Sequence, residues 1–184
     1  MQIKEKKAIV LTADQFRDEE LFYPISQLRQ KGWKVDTAAP EAKELHGELG
    51  GILNPDKTIK EVNPDNYDLL VIPGGRPNGA PAFVRDSKEA QEITRSFFSK
   101  NKPVASVCHG PWLLASSDVI RGKHLTSFWY DGVPEDIVKA GGIWEDKDVV
   151  VDGNLVTSRY PQDLPAFMRE VLKLVDGKTP SSQS

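Results

Sequence analysis

From residue 6 almost to its end, the chain alternates short apolar runs with amphipathic stretches long enough to be helices. That alternation restricts the folds open to it. The segments "KKAIVLTA" (6–13), "WKVDTAAP" (33–40), "YDLLVIPGG" (67–75) and "KPVASVC" (102–108) are apolar runs of strand length, as strands covered on both faces require. After the first run, a helix is predicted from Asp18 to Lys31. Asp18, Glu19 and Glu20 fill its first turn, Leu21, Ile25 and Leu28 share one face, and Gly32 ends it. Further helices are predicted from Ser87 to about Ser99 and over "GPWLLASSDVI" (110–120), where Pro111 takes a favoured first-turn position. "KHLTSFW" (123–129) reads as a fifth strand and "VPEDIVKAGG" (133–142) as a short helix with a glycine stop. "DVVVDGNLVTS" (148–158) reads as a hairpin turning at Asp-Gly-Asn. The last helix starts near Leu164 and places Leu164, Met168, Val171 and Val175 on one face. Residues 41–66 are irregular, with turns at Asn54-Pro55 and Asn63-Pro64.

Strands separated by helices imply right-handed crossovers, and so an α/β fold: a doubly wound, mostly parallel sheet with helices on both faces. No repeat or long linker interrupts the pattern. Residues 1–176 are therefore read as one domain and 177–184, "GKTPSSQS", as a flexible tail. With 24 basic and 27 acidic residues the net charge is only −3, and the cations are scattered, so no field is present to attract nucleic acid. No apolar stretch approaches the roughly 18 residues of a membrane span, and the N-terminus lacks a signal-peptide core. A single cysteine cannot form an internal disulfide, which suits a reducing compartment, and a cytoplasmic location is expected. The three histidines, His46, His109 and His124, match no metal-ligand spacing; neither metal nor cofactor is expected.

In doubly wound sheets ligands bind outside the carboxyl ends of the strands. Three segments fall there: "TADQFRDEE", "PGGRPNG" and "CHGPW". A lone cysteine is most often a small core residue. Cys108, however, follows a buried strand directly and precedes a helix by about two residues, the placement of a nucleophile on a strained strand-to-helix elbow. A helix N-terminus there would lower the thiol pKa well below its usual value. His109, next in the chain, is a candidate base or thiolate partner rather than a plain turn histidine. Gly74 and Gly75, closing the third strand beside the elbow, can aim backbone N–H groups at a ligand oxygen. Gly110 supplies the small neighbour that the elbow needs and is counted with them as an oxyanion or substrate-binding residue. Asp18 and Glu19 are explained by the helix dipole. Glu20 precedes the buried Leu21 and can turn inward, where a protonated carboxyl would donate to the sulfur. His46 and His124 have no evident partner.

These residues lie within longer matching segments. "LTADQFRDEELFYP", "LLVIPGG", "KPVASVCHGPWLL", "VIRGKHLTSF" and "VVVDGNLVTSRYPQDLPAFMRE" together resemble the PfpI/ThiJ family of the class I glutamine amidotransferase-like superfamily. The resemblance implies a flavodoxin-like sandwich, self-association into dimers or larger assemblies, a reactive Cys108 with His109, a thiol-contacting Glu20 and an oxyanion-stabilising Gly75. It also implies an intracellular cysteine-nucleophile hydrolase or lyase. The activity expected is that of a deglycase or glutathione-independent glyoxalase acting on small α-oxoaldehydes or on their adducts with amines and thiols. The alternatives are a cysteine peptidase or amidase, and a non-enzymatic redox sensor or chaperone using the same thiol. Peptidase-like members carry an acid soon after Pro-Gly-Gly, contributed by a neighbouring subunit. "RPNGAPAFVR" offers no carboxylate before Asp86, so His109 is expected to lack an orienting acid and peptide hydrolysis is disfavoured. Where some relatives place a tyrosine near the thiol, this chain has Phe128, and Tyr130 would substitute only if its loop bends.

Overall fold

The computed structural model describes residues 3–177. Seven strands form the main sheet: β1 (Lys7–Leu11), β2 (Lys34–Ala39), β5 (Lys57–Thr58), β6 (Leu69–Ile72), β7 (Val104–Val107), β10 (Val149–Asp152) and β11 (Leu155–Ser158). Their order is β10-β11-β7-β6-β1-β2-β5, and all neighbours run parallel except β10 and β11. Every residue of β6, β7 and β11 is buried, as the unbroken apolar runs require of central strands. Helices α1 (Asp18–Gln30) and α6 (Leu164–Asp176) pack together on one face. The other face carries α2 (Ala80–Arg85), α3 (Lys88–Ser99), α4 (Pro111–Ser116) and α5 (Val133–Lys139). The architecture is the doubly wound α/β sandwich read from the sequence. Its core includes the fully buried Ile9, Leu11, Leu70, Phe97 and Phe167, each stabilising the fold by about 1.5–3 kcal/mol relative to exposure. Ser87 caps α3, its hydroxyl accepting from the Ala90 amide at 3.1 Å.

The "DGN" hairpin forms as predicted, with Val149 opposite Ser158 and Asp152 opposite Leu155. Two elements differ from expectation. "KHLTSFW" does not join the main sheet, because β10 already occupies the open edge of β11. Instead β8 (His124–Leu125) pairs with β9 (Ile143–Trp144) in a separate ribbon. Side chains take the amides that a ladder would have used: His124 N–H donates to Asp152 Oδ2 at 2.7 Å and Thr126 N–H to Thr157 Oγ1 at 2.9 Å. The helix after Cys108 ends at Ser116, four residues early, and Asp118 beyond it has φ 55°. Within the irregular segment, β3 (Leu45–His46) and β4 (Ile52–Leu53) pair. The Asp18 carboxylate pins that hairpin by accepting from the Leu49 and Gly51 amides at 2.9 and 2.6 Å, so it does more than complement the helix dipole. Beyond Gly177 the tail expected over 177–184 lies outside the described residues. Among those residues no helix is long and apolar enough to cross a membrane.

Candidate active site

Cys108 follows β7 directly and adopts φ 62°, a conformation a non-glycine residue holds only where its surroundings impose it. The surroundings are specific. The Cys108 amide donates to Ser158 O at 3.1 Å, and its carbonyl accepts from the Phe128 amide at 2.9 Å. The turn is clamped between β11 and the loop after β8. A Cβ on Gly110 would lie 2.3 Å from Ile72 O and 2.5 Å from Ser106 Oγ, so only glycine lets the elbow sit down on β6. The Gly110 amide is spent on Val107 O at 2.9 Å. Of the three glycines singled out, this one provides space and not a donor for an oxyanion.

The sulfur lies 3.2 Å from His109 Nδ1, and His109 Nε2 lies 2.8 Å from Asp131 Oδ2. Asp131 therefore fills the place expected to stand empty: the imidazole has an orienting carboxylate, from 22 residues downstream in the same chain. Asp131 and Gly132 form a left-handed turn, φ 63° and 79°, leading into α5. The imidazole is packed between Phe128, at 4.8 Å between ring centroids, and Trp112, at 5.3 Å. Tyr130, by contrast, is 67% exposed and does not take the place of a tyrosine at Phe128.

Glu20 turns inward from α1 and is completely buried, with no hydrogen bond of good geometry to either oxygen. It meets the elbow across Gly74, where a Cβ would lie 2.8 Å from Glu20 Oε1 and 3.0 Å from both Cys108 Cβ and His109 N. Burial pushes the Glu20 carboxyl well above the carboxylate range, outweighing the opposing pull of the thiol contact and Arg17. Burial also pushes the Cys108 thiol up, and charge on Glu20 would push it further, while only the His109 amide pulls it down. Desolvation of the sulfur thus runs against the lowered thiol pKa that the elbow's placement at a helix start predicts. His109 moves the opposite way: burial lowers its pKa despite the Asp131 carboxylate. All three directions favour the uncharged forms: burial disfavours charge on Cys108, on Glu20 and on His109, and a neutral ring bonded to Asp131 through Nε2 presents a free Nδ1 to the sulfur. Nε2–H then donates to Asp131.

A cavity of about 400 Å³ opens over the sulfur, lined by Glu20, Gly75, Cys108, His109 and Asp131 among others. A Cβ on Gly75 would lie 2.4 Å from Gln15 O, and its neighbours bond across that contact, Arg17 N–H to Gly74 O and Arg76 N–H to Gln15 O. Among the described residues the Gly75 amide has no acceptor, which leaves it available to a ligand oxygen. The walls also contain Arg17, Glu48, Arg76 and Tyr160, none of them singled out from the sequence. Arg17 is held by Glu19, at 2.8 and 3.2 Å, and by Glu48 at 3.6 Å. His46 and His124 lie elsewhere, paired with Glu44 and Glu145. Among the described residues no three His, Cys, Asp or Glu side chains are grouped as a metal shell.

The family profile described as DJ-1/PfpI matches residues 6–174. A deglycase of Pyrococcus abyssi is 47% identical over 169 residues, covering 92% of this chain and 99% of the relative. A Bacillus subtilis protein named a putative cysteine protease is 39% identical, covering 92% of this chain and 98% of its own length. A crystal structure of a two-domain protein from Anabaena variabilis, with DJ-1/ThiJ/PfpI-like and ferritin-like domains, superposes with a TM-score of 0.88 at 31% identity. That match covers 98% of this chain and 52% of the other, so the chain spans about half of that protein.

Proposed function

The chain belongs to the DJ-1/PfpI family, and from that premise we propose that it is a cysteine-dependent deglycase, which frees amines and thiols from their adducts with small α-oxoaldehydes. One observation carries this reading: a single thiol, an imidazole held by a carboxylate and a completely buried carboxyl converge at a cavity sized for a small substrate. The similarity to deglycases over nearly the whole chain supports it.

The residues divide the chemistry as follows. In a carbinolamine adduct, the Cys108 sulfur takes the carbinol carbon while His109 Nδ1 removes the thiol proton. The imidazolium passes that proton to the departing nitrogen, leaving a free amine and a hemithioacetal. His109, neutral again, removes the hydrogen of the sulfur-bearing carbon. The Gly75 amide stabilises the resulting enediolate oxygen, and the enediolate hydroxyl passes its proton to the neighbouring oxygen. Return of the proton from His109 to the second carbon gives the thioester of a 2-hydroxy acid. Water then hydrolyses the thioester, with His109 as base, and restores the thiol. The Glu20 O–H, buried beside the sulfur, stabilises the thiolate as it leaves. A free α-oxoaldehyde enters the same sequence at the hemithioacetal.

The test is release of amine from the methylglyoxal adduct of an Nα-blocked lysine. Wild-type protein should release it and Cys108→Ser should not. Disappearance of the adduct no faster than in buffer, with Cys108 shown to be reduced, would refute the reading. A second reading, peptide or amide hydrolysis by the same nucleophile, is favoured by one feature, the His109–Asp131 pair at 2.8 Å, which equips the imidazole to protonate an amine leaving group.

A further inference from the structure

Tyr160 stands on the opposite side of the thiol from Gly75. The sheet order fixes this: β7, which ends at Cys108, has β6 on one side and β11 on the other. The loop after β6 carries Gly75, the loop after β11 carries Tyr160, and both line the same cavity. The Tyr160 ring is held from two directions. It packs edge-on against Trp129, centroids 5.2 Å apart, and lies 5.4 Å from the Arg159 guanidinium. Arg159 is itself anchored, by Asp163 at 2.9 Å and Asp146 at 3.0 Å. The phenol hydroxyl has no hydrogen-bond partner among the described residues. A phenol whose ring is held and whose hydroxyl no protein group engages, at the wall of a reactive cavity, can donate to an acceptor that a ligand brings.

We propose that Tyr160 is a specificity-determining residue whose hydroxyl donates to the second oxygen of a 1,2-dicarbonyl unit while its first carbon is bonded to Cys108. The contact gives the site a preference for carbonyls with a vicinal oxygen acceptor over simple aldehydes. Gly75 and Tyr160 hold the two oxygens from opposite walls, and an aldehyde with no second oxygen gains nothing from the phenol. The assignment rests on the reading of the cavity as the site where carbonyls add to Cys108, but it does not depend on turnover.

Reversible addition to the thiol provides the test. Protection of Cys108 from alkylation by iodoacetamide is measured against increasing methylglyoxal and, separately, propanal, for wild type and Tyr160→Phe. Phenylalanine keeps both ring contacts and removes only the hydroxyl. The substitution should raise the methylglyoxal concentration needed for half-protection by about 5–10-fold, the loss of one hydrogen bond from a neutral donor, and leave propanal unchanged. An equal shift for both aldehydes, no shift for either, or no protection of the wild type by methylglyoxal overturns the assignment. Selective protection without release of amine from adducts would sustain the role of Tyr160 and reject the deglycase reading.

Discussion

Asp131→Asn separates the contribution of the carboxylate from that of the fold. Asparagine occupies the left-handed region as readily as aspartate, so the turn at φ 63° survives the change. What disappears is the negative charge 2.8 Å from His109 Nε2. An amide facing Nε2 can also donate to it, shifting the ring proton to Nδ1 and blocking the base that faces the sulfur. The magnitude follows from the interaction of imidazolium with carboxylate. At about 4 Å this is worth about 1 kcal/mol in water and about 4 kcal/mol at an effective dielectric constant of 20. The Asp131 side chain is 43% exposed, so solvent screening puts the loss near the lower end, about 1.5–2 kcal/mol, or roughly 10–30-fold in kcat. The pH profile supplies a second readout. Activity should rise with pH as His109 loses its proton, with a midpoint below the ordinary histidine value, because burial lowers it. Asp131 acts to raise that pKa, so the midpoint should fall further in the variant. Both quantities come from amine release measured across the pH range. An unchanged kcat together with an unmoved midpoint would show that Asp131 does not act through His109. A loss confined to peptide substrates, with adduct turnover intact, would limit its role to the second reading.

Gly110→Ala should disable the elbow, since its Cβ would meet Ile72 O at 2.3 Å, a backbone atom that cannot swing aside. Overpacking of this kind costs about 1–3 kcal/mol, to be read as a lowered urea midpoint together with loss of thiol reactivity. Glu20→Gln should change the pH dependence of stability in a defined direction. The folded carboxyl titrates above its unfolded value of about 4.3, so the wild type binds more protons folded than unfolded. It therefore loses stability as pH rises from about 4 toward the folded pKa. The glutamine variant lacks that loss, and its thermal midpoint should gain on the wild type between acid and neutral pH; parallel curves would contradict the shift.

The sheet was legible in the sequence because its central strands are buried on both faces, so that "VASV" and "LLVI" have almost no other stable use. The hairpin was legible because Asp-Gly-Asn meets the conformational demand of a tight turn. The segment from Lys123 to Trp129 was not. Its strand-like composition is real, but whether it joins the main sheet depends on whether β10 has filled the edge of β11, a competition between distant segments. Cys108 and Glu20 announced themselves through local pattern, one at the end of a strand and the other at the start of a buried helix face. Asp131 gave no such signal. It sits in an exposed loop, and its importance arises only when the Cys108 carbonyl takes the Phe128 amide and draws that loop over the imidazole. Tyr160 was hidden in the same way, by a strand order that a sequence does not print. Desolvation of the thiol was not legible either, because a helix start shows in a sequence while the burial of one sulfur does not.

The proposed chemistry requires that Glu20 hold its proton at rest. Infrared difference spectra of wild type minus Glu20→Gln, recorded at neutral pH with carboxyl groups labelled by carbon-13, address this directly. A protonated carboxylic acid band, present in the wild type and missing from the variant, is the expected result. If the variant instead loses only a carboxylate band, Glu20 is ionised beside the sulfur, and the proposed division of labour among Cys108, His109 and Glu20 is wrong.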